Sequence, residues 1–141
     1  MAESLKKLKE LFDLKDADLR TYSPLTLAYI GDAIYDLIIR TMIVRQGNTQ
    51  VNKLHRHASS LVKAGAQSKM MELLEPDLTE EELAVYKRGR NAHSPTMAKH
   101  ATMADYRRAT GFEALMGYLY LKEDYSRIVE LVRKGIPEEN L

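Results

Sequence analysis

Cysteine is absent from the 141 residues, which excludes a disulfide framework and any thiolate metal site and suits a reducing compartment. No apolar run reaches membrane-spanning length without a charge, since the best candidate, residues 27–39, contains both Asp32 and Asp36. The opening residues Met1 to Lys7 lack the apolar core of a signal peptide. No run alternates with the period of a strand, and there is no internal repeat, low-complexity tract or linker. Also missing are a Gly-X-Gly-X-X-Gly turn, a Walker loop, a Ser/His/Asp arrangement and the His-Glu-X-X-His spacing of a metal centre. These absences leave a soluble, cytoplasmic, all-α protein as the expectation, one domain over residues 1–141 and long enough to bury a real core.

What is present is charge, and it is segregated. The formal net charge is only +1. From Leu37 to Met71, however, there are six basic residues (Arg40, Arg45, Lys53, Arg56, Lys63, Lys69) and no acid. From Leu83 to Arg108 six more (Lys87, Arg88, Arg90, Lys99, Arg107, Arg108) face only Asp105. One such block is ordinarily a solvated helix face; two of them can give a near-neutral protein a basic surface suited to a polyanion.

Helical periodicity dominates. A short amphipathic helix is expected over Ser4 to Phe12. Ser23-Pro24 pairs a cap residue with proline at the first helical position and opens a helix that should run to about Arg45 and stop at Gly47-Asn48. Asn52 to Leu74 reads as helical with a break near Ala64-Gly65. Thr79 with Glu82 has the form of a capping box opening a helix to about Gly89. Arg90 to His100 has loop composition. Helices over Met103 to Leu121 and Tyr125 to Lys134 complete the set.

Within this pattern two carboxylates occupy the middle of strongly apolar helices: Asp32 in the first long one, Glu113 in the second. Each is flanked by small residues that let helices approach closely. A buried, unpaired carboxylate is costly and tends to be neutralised, paired or metal-bound. Asp32 therefore reads either as an acid hydrogen-bonded to a neighbouring helix end or, with Glu113 opposite, as part of a site for a hard cation. Asp36 shares the face of Asp32 but reads as an edge residue. Tyr29, Tyr35, Tyr118 and Tyr120 read as core and interface residues with a wet hydroxyl. Lys87-Arg88-Gly89-Arg90-Asn91 is a donor cluster at a helix C-terminus, either pairing with the helix dipole or clamping phosphates. Arg107-Arg108 carries the same two readings.

Tyr29-Ile30-Gly31-Asp32-Ala33-Ile34 resembles the Phe-Leu-Gly-Asp-Ala-Val signature of ribonuclease III catalytic domains. The segment Phe112 to Leu121 resembles their second motif, Phe-Glu-Ala-Leu-Ile-Gly-Ala-Ile-Tyr-Leu. With Lys87 to Ser94 between them, the chain resembles the small branch of that family, Mini-ribonuclease III, over a core of about residues 24–134. The resemblance implies the helical bundle of that endonuclease domain. It further implies a homodimeric, Mg²⁺-dependent hydrolase (Mn²⁺ a possible substitute) that cuts double-stranded RNA, leaving 5′-phosphate and 3′-hydroxyl ends. The branch is associated with maturing the ends of precursor large-subunit (23S) ribosomal RNA. Carried over by position, Asp32 and Glu113 are the catalytic, metal-holding acids. Lys87, Arg88, Arg90, Asn91, His93, Ser94, Lys99, Arg107 and Arg108 are the expected RNA contacts. Two departures stand out: Ala28 and Thr110 occupy positions where the larger enzymes have acids. A non-catalytic RNA-binding helical module on the same fold is the alternative.

Overall fold

Caps legible in the sequence mark where two of the helices begin. The computed structural model describes residues 2–92 and 102–141, and among them every regular element is helical. In chain order these are α1 (Ala2–Leu11), α2 (Pro24–Arg45), α3 (Val51–Val62), α4 (Ala64–Leu74), α5 (Glu80–Arg90), α6 (Met103–Leu121) and α7 (Tyr125–Gly135). The Ser23 hydroxyl accepts from the Thr26 N–H at 3.1 Å and Pro24 fills the first turn of α2, meeting one of the donors a helix start leaves unpaired. Thr79 and Glu82 form the reciprocal box at 2.9 and 3.1 Å. α2 ends just before Gly47, whose φ of 140° suits only glycine comfortably. The break between α3 and α4 falls at Lys63, which is extended (ψ 156°).

α6 is buried on nearly every side, with Phe112, Ala114, Leu115 and Met116 fully enclosed. A helix apolar all round belongs at the centre, and α2, α4, α5 and α7 pack against it. The tightest of these contacts is with α2. A Cβ on Gly31 would overlap the Glu113 carbonyl, and one on Gly117 would overlap the Leu27 carbonyl. The two backbones therefore touch directly, and this contact sets the distance between the side chains beside it.

Tyr35 ties the next layer in. Its ring meets Phe112 edge-on at 5.0 Å, and its hydroxyl donates to the Leu61 carbonyl at 2.8 Å. This hydroxyl is dry rather than wet, because α3 and α4 close over it, and burial pushes the phenol above its ordinary range. Tyr29 is the opposite case, 82% exposed on the outward face of α2. Leu37 on the same face is half exposed.

Glu82 does more than cap α5. Its carboxylate, well buried, accepts from Nε and Nη2 of Arg127 at 2.8 Å each, and Nη2 also reaches the Asp77 carbonyl at 3.0 Å. The guanidinium holds Glu82 below the usual carboxylate range and staples α7 to the start of α5.

Candidate active site

Asp32 follows Gly31 on α2, and Glu113 lies at the point on α6 where Gly31 makes contact. The close approach brings their carboxyl groups within hydrogen-bonding reach of one another. Both line one open cleft of about 620 Å³, together with Ala28, Tyr29, Tyr106 and Thr110. The expectation of two buried acids is corrected here: Asp32 is exposed at the mouth of the cleft and Glu113 is half-buried behind it. The reason is geometric. α2 forms the outer layer, so the side of it that looks apolar in sequence is only partly covered by α6.

Glu113 is electrostatically unsettled. Burial, and then the neighbouring Asp32, push its carboxyl up to about 9, against a smaller opposite effect from the Gln67 amide. At neutral pH it therefore keeps its proton when no cation is at hand. Asp36, one turn beyond Asp32, pairs with Arg40 at 3.0 Å and stays outside the cleft lining, as expected of an edge residue.

Ala28 and Thr110, the two departures from the resembled motifs, line the same cleft beside Asp32 and Glu113. The Thr110 hydroxyl donates to the Tyr106 carbonyl at 3.0 Å, within its own helix. Among the described residues no group of three or more acid, histidine or cysteine side chains is placed to hold a metal ion together. Two carboxylates still fit a hard cation such as Mg²⁺, which commonly binds through one or two protein carboxylates and keeps several waters. Their fit is chemical as well: a divalent charge would offset the burial and the Asp32 carboxylate that together keep Glu113 protonated.

The basic candidates divide. Lys87 and Arg107 are exposed. Arg88 donates to the Tyr22 carbonyl at 3.2 Å, which gives it a structural tie beside its charge. Arg90 lies 5.7 Å over the Tyr86 ring and reaches Asn91 at 3.3 Å. Arg108 approaches Ser68 at 3.4 Å and Glu72 at 3.9 Å. His93, Ser94 and Lys99 lie outside the described residues.

Sequence reasoning passed over Gln67, a buried amide on α4 that eases the Glu113 carboxyl slightly back toward its ordinary range. The signal was available: Gln67 falls in register with Met70, Met71 and Leu74, the buried stripe of α4.

Comparison with known proteins places this geometry. The ribonuclease III domain family matches residues 25–124, a span that includes both acids and the α2–α6 contact. A Mini-ribonuclease 3 of Clostridium tetani is 50% identical over 117 residues, covering 82% of this chain and 78% of that protein. One of Enterococcus faecalis is 50% identical over 128 residues, covering 87% and 97%. A crystal structure of a protein from Fusobacterium nucleatum superposes with a TM-score of 0.76 at 33% identity, covering 82% of this chain and 93% of that one. An all-α bundle with this pairing of helices and this degree of identity belongs to the ribonuclease III family, in the group named Mini-ribonuclease 3, and the chain is an endoribonuclease.

Proposed function

We propose that the chain is a Mg²⁺-dependent endonuclease of double-stranded RNA in which Asp32 and Glu113 hold the cation, with Mn²⁺ able to substitute. The observation that carries this is the pair itself: two carboxylates from different helices, within hydrogen-bonding reach, in one open cleft. A cation held there supplies Lewis acidity toward a bridging phosphate and a water of lowered pKa. Glu113 gives up its proton on loading, and Ala28 and Thr110 leave room for ordered water where other members of the family carry acids. In-line attack of water on phosphorus, with departure of the 3′ oxygen, yields 5′-phosphate and 3′-hydroxyl ends. Lys87, Arg88, Arg90, Asn91, Arg107 and Arg108 hold the duplex by its phosphates, the groups through which A-form RNA is chiefly recognised.

A homodimer completes the reading. Tyr29, Ala33 and Leu37 form an exposed stripe on the outer face of α2, next to Asp32, with Tyr29 82% and Leu37 51% exposed. Exposed apolar surface of this kind marks an interface, and a two-fold pairing would set two clefts across one duplex, one per strand. Maturation of precursor 23S ribosomal RNA rests on the resemblance to the Mini-ribonuclease branch. A cytoplasmic location rests on the lack of cysteine. Among the described residues no helix is long and apolar enough to cross a membrane.

The test is incubation of the full chain with a duplex RNA in Mg²⁺, in Mn²⁺ and in EDTA, followed by mapping of the ends. Internal cuts bearing 5′-phosphates are expected with either cation and none in EDTA. A duplex left intact in both cations would overturn the reading.

A further inference from the structure

Tyr106, Thr110 and Glu113 stand on one line of α6, at spacings of four and three residues that return to the same helix face. All three line the cleft that holds Asp32. Tyr106 comes two turns before the acid, about 10 Å along the axis. It is part-buried, and the cations Arg107 and Arg108 follow it directly.

Each polar group of this wall suits a different part of a nucleic acid. The carboxylates of Asp32 and Glu113 suit a cation, and the guanidinium groups suit phosphate oxygens. The phenol of Tyr106 is neutral, and its hydroxyl is of the kind that both donates and accepts. A ligand group that does the same is its natural match. On duplex RNA that group is the 2′-hydroxyl, displayed along the shallow minor groove, and it is the group by which a protein tells RNA from DNA. The bases of a duplex are stacked inside, so a ring in the cleft has no base face to meet.

Two other neutral hydroxyls line the cleft, and each is less well placed. Thr110 is short and 7% exposed, and it turns its proton back to the Tyr106 carbonyl at 3.0 Å. Tyr29, on the opposite wall, is 82% exposed and belongs to the outer stripe of α2.

We propose that Tyr106 is a specificity-determining residue, its hydroxyl bonding the 2′-hydroxyl of a nucleotide near the scissile phosphate and so favouring RNA over DNA. The proposal rests on the reading of the Asp32–Glu113 cleft as the place of cleavage. The offset of two turns keeps the contacted sugar apart from the reacting phosphate. One such hydrogen bond is worth about three- to tenfold in kcat/KM.

The full-length parent and Tyr106→Phe are assayed in Mg²⁺ on one duplex RNA and on a set of copies. Each copy carries a single 2′-deoxy sugar near the cut, on one strand or the other. In the parent, at least one such substitution should lower kcat/KM by about three- to tenfold. Tyr106→Phe should lose a similar factor on the all-RNA duplex, and the same deoxy sugar should then cost it nothing further. The comparison is between ratios, so a partly unfolded variant does not mimic this result. Equal sensitivity of parent and variant at every position would overturn the proposal. So would a parent that cuts every substituted duplex at its all-RNA rate, an outcome that needs no variant. Loss of the sensitivity in Tyr29→Phe instead would put the contact on α2 and overturn the assignment. A parent that leaves the all-RNA duplex uncut would remove the reading of the cleft, and the proposal with it.

Discussion

Asp32→Asn and Glu113→Gln should each lower duplex cleavage by about a thousandfold or more, because each removes one of the two carboxylates proposed to hold the cation in a site whose work is electrostatic. Neither change alters side-chain size, so the α2–α6 contact, built on Gly31 and Gly117, stays intact. Duplex binding in EDTA should remain near the parent value, since the cations proposed to hold phosphates lie on α5 and at the start of α6. The two variants should differ in stability. The Glu113 carboxyl titrates at about 9 in the folded chain, against about 4.3 for an unperturbed glutamate. Between those values the folded state holds a proton that the unfolded state has released, so stability is greatest below the lower value and falls as pH rises toward the upper one. Glu113→Gln removes this penalty and should melt higher than the cation-free parent at pH 8, with the difference shrinking toward pH 5. Melting scans at the two pH values, beside cleavage rates, check both halves. A Glu113→Gln variant that melts well below the parent would mark the acid as structural, and cutting at the parent rate by either variant would end its catalytic role.

Gly117→Ala should cost about 3 kcal/mol or more, the upper range for overpacking, because the added carbon meets the Leu27 carbonyl rather than a side chain that can turn away. In a chain of this size that corresponds to a drop in melting temperature of about 10 °C. Gly31→Ala, against the Glu113 carbonyl, should behave alike. Any folded fraction should also lose activity, since forcing α2 from α6 separates Asp32 from Glu113. Gly65 supplies the control. A Cβ there finds only an Asp105 oxygen at 3.9 Å, so Gly65→Ala on α4 should be neutral or stabilise by about 0.5–1 kcal/mol. Thermal melts of the three variants, with cleavage assayed well below each transition, check the expectation. A Gly117→Ala protein as stable as the parent would mean that the helices are not held this closely.

The parts of this fold legible in the sequence were those with local causes. Ser23-Pro24 and the Thr79/Glu82 box each act within one turn, and the helices start where they indicate. The acid pair was legible for a related reason: Gly31 beside Asp32 and Gly117 one turn after Glu113 announce a close approach on the faces that carry the acids. Exposure was not legible. Residues 27–39 look buried all round, yet Tyr29 and Asp32 face outward, because apolarity alone does not separate a core face from an open one. The Arg127–Glu82 clamp joins residues 45 positions apart, and nothing in local periodicity links them. Gln67 was hidden by its own register, a polar letter in an apolar stripe.

The central claim is that Asp32 and Glu113 share a cation, and calorimetric titration of Mn²⁺ between pH 6 and 9 tests it most directly. Because Glu113 must release its proton on binding, affinity in the parent should rise with pH, by up to about tenfold per unit, and level off near pH 9, with proton uptake by the buffer. Asp32→Asn should lose most of that affinity. Binding that is unchanged across this range, or as tight in Asp32→Asn as in the parent, would contradict the account.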